Sequence, residues 1–258
     1  METPGLPEPL STLAEDLLLL SFRARGGRLG TEQRIDFGLA GAQLVQLAAL
    51  GRVSVPGDQI IVGDTGPTGD PELDAALADL ARAPRPPRPQ DWVGRPWSGI
   101  RAAYISRLTT AGVLRAEPGG LAGRTRWRVT DTDRAARARA RLDAVASSRG
   151  DVAVAEAALG GLAHAISLDQ LLYPGRRGHQ RRDRLAALGA GPRPGGVPLV
   201  PAPRLTEDVI DLAGLGVLAA AGRAATHAAA KAASAAPHAG EHAAHHADTG
   251  HAVLHLHP

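Results

Sequence analysis

The apolar positions follow two different periods along the chain. Leu17, Leu18, Leu19 and Leu20 stand in succession within Asp16 to Phe22, so this run is apolar nearly all round and predicts a buried helix. Thr12 and Glu15 precede it at the spacing of a capping box. Three glycines between Arg23 and Gly30 break the run. A second helix is predicted from about Asp36 to Leu50, with Leu39, Leu44, Leu47 and Leu50 apolar and Gly51 as terminator.

The period then shortens. Arg52 to Val55 and Gln59 to Val62 flank Pro56-Gly57-Asp58 and predict a short β-hairpin, followed by a loop from Gly63 to Gly69. Asp70-Pro71 reads as an N-cap with proline at the first helical position, opening a helix through Leu73, Leu77 and Leu80. Residues 83–90 (APRPPRPQ) predict a polyproline-like spacer. A helix is expected from Trp97 to Ala111, ended by Gly112. A second hairpin then follows, its tip at Pro118 to Gly123 and its outer arm alternating from Arg124 to Val129. Helix resumes from Asp133, then a long apolar helix over Val152 to Leu172, a loop from Tyr173 to Gly178, and a basic helix from His179 to Leu188. Gly189 to Pro203 reads as a connector, and a last helix is expected from Leu205 to about Gly222.

These elements define a mostly α-helical, single compact domain over residues 10–222, with short β-hairpins, one of them exposed. A flexible N-terminus (1–9) precedes it, and an Ala/His-rich tail (223–258) follows that is expected to be disordered. Only 3% of residues are aromatic, so the core must be aliphatic and close-packed. Cysteine is absent, which excludes disulfides, thiolate catalysis and Cys-based zinc sites. No basic-then-apolar leader opens the chain, and no apolar run approaches the ~20 residues that span a bilayer, so a cytoplasmic location is expected.

Net charge is +3 and the isoelectric point about 10.1, because the basic residues are arginines apart from Lys231. With the abundance of Ala, Gly and Pro, this composition suggests a bacterial genome rich in GC. Eight of the ten histidines lie from His227 onward. His242 and His246 have helical i, i+4 spacing, yet nothing nearby completes a metal site, and neither metal nor cofactor is expected. No nucleophile elbow, phosphate-binding loop or dinucleotide fingerprint is present, and Asp169 and Glu156 have no evident partner. His164 lies in an apolar segment and reads as a packed core residue. The chain is therefore expected to bind rather than catalyse.

Two binding surfaces compete. Arg101 and Arg107 on the helix, with Arg124, Arg126 and Arg128 on the hairpin, could form a winged-helix DNA reader. The proline spacer ahead of a single helix and the lack of an Asn, Gln or Lys reading face weigh against nucleic acid. Leu121, between glycines at the hairpin tip, is better suited to a lipid interface or to pairing with another subunit.

The order of segments resembles the Golgi phosphoprotein 3 family. The residues that carry the resemblance are Leu13 to Leu20, then Gly38-Leu39-Ala40-Gly41 running to Leu50-Gly51-Arg52, then Arg107-Leu108-Thr109-Thr110-Ala111-Gly112-Val113-Leu114, and Arg181 to Leu188. The resemblance implies peripheral binding to phosphatidylinositol 4-phosphate on a cytosolic membrane face, with an unidentified protein partner and a homo-oligomer through the hairpin as further expectations. Of the family's four headgroup positions, Arg101 matches, while Thr31, Ala40 and Ser98 occupy the other three. Arg34 and Arg95 are the neighbours expected to assist Arg101 in holding a phosphate.

Overall fold

The computed structural model describes residues 6, 8–24, 33–118, 125–150, 152–190, 220–228 and 230–231. Its centre is α2 (Leu13–Ala24), entered through the single turn α1 (Glu8–Ser11). Leu13, Leu17, Leu18, Leu19, Leu20 and Phe22 are all at most 1% exposed. A helix with no polar side must be covered on every side. Helix α2 packs against α3 (Gln33–Ala49), α6 (Ile100–Thr110), α7 (Thr132–Ser147), α8 (Val154–Ala165) and α9 (Leu168–Leu172).

The expected capping box does not form. The Thr12 hydroxyl lies 3.2 Å from both the Glu8 carbonyl and the Asp16 carboxylate, and the Thr12 amide donates to Glu8 O at 3.2 Å. Glu15 turns away from the helix start toward arginines of other helices. Long-range charge pairing outweighs the local cap.

Helix α3 is buried at every residue from Ile35 to Leu47. Gly51, at φ +68°, ends it: the Gly51 amide donates to Ala48 O at 2.9 Å and the Arg52 amide to Leu47 O at 2.9 Å, a Schellman closure. The first hairpin follows as β1 (Val53–Ser54) and β2 (Ile61–Val62), with Val53 opposite Val62. Asp70 caps α4 (Pro71–Ala81), accepting from the amides of Glu72 at 2.9 Å and Leu73 at 3.3 Å. The proline spacer ends early, because Pro89 opens the short helix α5 (Pro89–Val93). Helix α6 starts at Ile100, three residues later than expected, and Trp97 instead donates its indole N–H to Val93 O at 3.0 Å.

The second hairpin pairs β3 (Leu114–Glu117) with β4 (Arg126–Val129) in the register Leu114 to Val129 and Arg115 to Arg128. Arg115, Arg126 and Arg128 are exposed, as the alternation predicts. The tip, Leu121 included, lies outside the described residues.

The long apolar helix expected over Val152 to Leu172 is two helices. Ser167 sits at φ +60° between α8 and α9, the one non-glycine residue with positive φ among those described. The His164 Nδ1 lies 2.8 Å from the fully buried Asp169 carboxylate across this turn. A carboxylate in the first turn of α9 suits the helix dipole there, and its contact with His164 spans the break. A 3-10 turn (Arg176–Gly178) leads into α10 (His179–Ala190).

Small residues set the closest packing. A Cβ on Gly161 of α8 would come 2.9 Å from the Gly189 Cα of α10. Residues 220–228 are helical, and Ala221, Ala224, Ala225 and Ala228 join the core. Folded structure therefore continues past the boundary expected at 222. The His-rich stretch from His238 onward lies outside the described residues.

Candidate anion-binding cleft

A cleft of about 560 Å³ lies between α4 and the start of α6, with Gln43 of α3 at its floor. Trp97 forms one wall. Its ring meets Trp92 edge-on, with centroids 4.9 Å apart, and the Arg95 guanidinium lies 4.0 Å from the Trp97 centroid. Asp79 organises this group: it lies 2.5 Å from Arg95 Nη2 and accepts the Trp92 indole N–H at 3.4 Å. Arg95 is thus held against an aromatic face and paired with Asp79. Arg82 adds a second cation and Glu72 a further carboxylate.

The start of α6 opens into the same cleft through Ser98, Gly99 and Ile100. Gly99 is the N-cap, at φ +93°, a conformation costly for any residue with a Cβ, and no side chain caps the helix. The first turn contains no acidic residue. An uncapped helix start presents amide donors and a partial positive charge, the ordinary setting for an anion. Burial, together with the neighbouring Asp70 carboxylate, raises the Glu72 pKa, so this acid is more readily neutralised than an exposed one.

Arg101 lies in the first turn of α6 but faces α3. It forks onto Asp36, Nε to Oδ1 at 2.8 Å and Nη2 to Oδ2 at 2.7 Å. Asp36 is 6% exposed, so this bidentate pair compensates a buried carboxylate and ties α6 to α3. Arg34 stands two residues before Asp36, half-buried. The structure therefore gives Arg101 and Arg95 different carboxylate partners, Asp36 and Asp79. Only Arg95 of the three expected arginines lines the cleft. Ser98 is exposed on the cleft rim, Ala40 is fully buried and Thr31 lies outside the described residues.

The arginines named for a DNA-reading helix are also engaged. Arg107 bridges Glu15 at 2.8 Å and Asp70 at 2.6 Å. The sequence reading missed the aromatic wall and the acids that hold the arginines. Trp92 and Trp97 flanking Arg95 was the available signal for the wall. Asp36 is 65 residues from Arg101, and Asp79 lies on α4 while Arg95 lies between α5 and α6, so spacing alone joins neither pair.

The fold is thus a mainly helical domain in which the start of α6, without a side-chain cap, faces an aromatic and cationic cleft. A family model for Golgi phosphoprotein 3 (GPP34) matches residues 13–250, and the chain belongs to that family. No curated protein matches it. No helix among the described residues is long and apolar enough to cross a membrane.

Proposed function

We infer that the protein is a peripheral, non-catalytic binder of anionic lipid headgroups, and that the cleft beside α6 receives the phosphate. The observation that carries this reading is the uncapped start of α6 opening, through Ser98 and Gly99, onto Arg82, Arg95 and Trp97. Family membership supports it, because Arg101 matches one of the family's four headgroup positions, although Ser98 stands where the family has a basic residue. With Arg101 forked to Asp36, Arg101 positions α6, and the helix amides with Arg95 make the direct contacts. Such a site suits a phosphoinositide-like headgroup, whose charge is concentrated on one phosphate, on the cytosolic face of a membrane.

Ser98 offers the cleanest test because it is exposed and lines the cleft. Sedimentation would use vesicles of phosphatidylcholine alone, with phosphatidylglycerol, and with phosphatidylinositol 4-phosphate. Ser98→Arg should strengthen phosphoinositide binding about fivefold and Ser98→Glu should weaken it about as much, at roughly 1 kcal/mol per charge near an anionic surface. Indifference of binding to both replacements would remove the cleft from the account. Failure of the unaltered protein to bind any anionic vesicle would remove the function itself.

A further inference from the structure

The corner where α9 turns into α10 carries charge that the cleft does not use. From Leu171 to Arg184 the chain holds Arg176, Arg177, Arg181, Arg182 and Arg184 against the single acid Asp183. Two of these have clear structural roles. Arg184 is 7% exposed and donates to Ser148 Oγ at 3.0 Å and Gly150 O at 2.6 Å. Arg182 donates to the carbonyls of Tyr173 and Gly175, the latter at 3.1 Å. Those bonds fix the loop from the inside.

The loop is held from the outside as well. The Tyr173 ring is buried with the guanidinium of Arg139 4.7 Å and that of Arg181 5.3 Å from its centroid, and its hydroxyl donates to Asp143 at 2.7 Å. Gly175, at φ +69° and ψ −169°, takes a conformation open only to glycine. Arg176 and Arg177 follow on the 3-10 turn, both exposed, and neither has a hydrogen bond or ion pair to any described residue. The acids facing this corner, Asp143 from α7 and Asp183 on α10, are already engaged, Asp143 with Arg139 at 2.9 Å and Asp183 with His179 at 3.2 Å. Just before the loop stands Leu171, 43% exposed, one of two large hydrophobics so exposed among the described residues.

A well-anchored loop that presents adjacent, uncompensated cations five residues after an exposed leucine is complementary to an anionic, apolar-backed surface. We propose that the α9–α10 corner is a second membrane contact, docking on an anionic bilayer with Arg176 and Arg177 on headgroups and Leu171 at the acyl boundary. The proposal rests on the reading of the protein as a membrane binder and adds where the bilayer itself is touched. A flat array of many headgroups fits it better than one bound lipid, because Arg176 and Arg177 are adjacent and both exposed. The cleft would select a headgroup, and the corner would supply affinity that depends on surface charge and falls with salt.

The test is vesicle sedimentation of the full chain with phosphatidylcholine vesicles containing or lacking phosphatidylglycerol, and no phosphoinositide. Arg176→Ser/Arg177→Ser should lose roughly 30-fold in partitioning onto the anionic vesicles. Arg85→Ser/Arg137→Ser removes two exposed arginines elsewhere and should lose less than threefold. Leu171→Ser should weaken binding severalfold while leaving its salt dependence unchanged. Equal losses in the two double variants would overturn the corner, since charge anywhere would then serve. Binding by the unaltered protein that responds to Ser98→Glu on phosphoinositide vesicles, but not to the Arg176 and Arg177 changes on anionic ones, leaves the cleft standing and removes the corner. No binding to any vesicle would overturn both.

Discussion

Arginines at the buried layer between α2 and α7 and arginines at the α9–α10 corner have opposite fates. In the first region Glu15, 4% exposed, is bracketed by Arg107 and Arg134, and Asp16, also 4% exposed, by Arg141 and the Thr12 hydroxyl. Every one of those acids has a cation within reach, and the carboxylates sit in the first turn of the helix at the fold's centre. In the second region Arg176 and Arg177 are exposed and have no partner among the described residues. The chain has 29 basic side chains, and only one is lysine. Arginine abundance therefore says little about ligands. An arginine left without a carboxylate has its whole charge available to a ligand, whereas one the fold has paired, Arg95 of the cleft included, is oriented by its acid and offers only what that pair leaves.

The largest expected effect lies in the buried layer. Glu15→Ala should leave the guanidinium groups of Arg107 and Arg134 partly buried without their shared anion, joining three helices that now meet on one carboxylate. Breaking a fully buried pair by deleting one partner costs about 3–5 kcal/mol; because Arg107 keeps Asp70 and both arginines are partly exposed, the loss here should be about 2–3 kcal/mol. Urea denaturation should show a midpoint shift of that size. A loss below about 1 kcal/mol would mean that the layer is no more than a surface network and that the contrast between the two regions is false.

Acid titration gives a smaller and more specific effect. Burial raises the Asp16 pKa from 3.8 to about 6, against the pull of Arg141 and the Thr12 hydroxyl. The folded state therefore keeps a proton between these values that the unfolded chain has released. Stability contributed by Asp16 is full below pH 4, falls as pH rises toward 6 and is flat above it. The difference of 6 minus 3.8 sets an upper size of about 3 kcal/mol at 1.36 kcal/mol per unit. The raised Glu72 pKa adds a term of the same sign, whereas the lowered Asp143 pKa acts in the opposite sense at lower pH. Asp16→Asn should flatten the profile between pH 4 and 6 relative to the unaltered protein. A profile with the same slope in both would show that Arg141 compensates Asp16 fully.

Local signals were readable in the sequence wherever local chemistry decided the structure. The Asp70-Pro71 cap, the Gly51 closure of α3, the leucine run of α2 and the alternation of β4 all follow from neighbours a few residues apart. Distant pairing was not readable. Glu15 fits a capping box by spacing, yet its partners are contributed by α6 and α7. The break at Ser167 carries no glycine or proline, and the residues that meet across it, His164 and Asp169, give no sign of pairing in the sequence. Helical structure at 223–228 looked like low-complexity tail because alanine gives no amphipathic pattern. Its packing depends on close approach, as where a Cβ on Gly222 would meet Gly189 O at 3.0 Å. In the cleft, the arginine positions were visible and the carboxylates that orient them were not.

The smallest expected effect is the sharpest test of the contrast. Arg176→Ser/Arg177→Ser removes two full charges, the same kind of group whose counter-ion is indispensable in the buried layer. Both side chains are exposed and hold no described partner, so their loss should change stability by no more than about 0.5 kcal/mol. A slight gain is the more natural sign, because the two cations repel each other and stand next to the start of α10, where a helix disfavours positive charge. Thermal and urea midpoints within experimental scatter of the unaltered protein, together with weakened binding to anionic vesicles, would show that these arginines serve a surface rather than the fold. A marked loss of stability would instead place them in the same structural class as Arg134 and Arg141, and the corner would then be one more ion-pair layer whose acids lie in other parts of the chain.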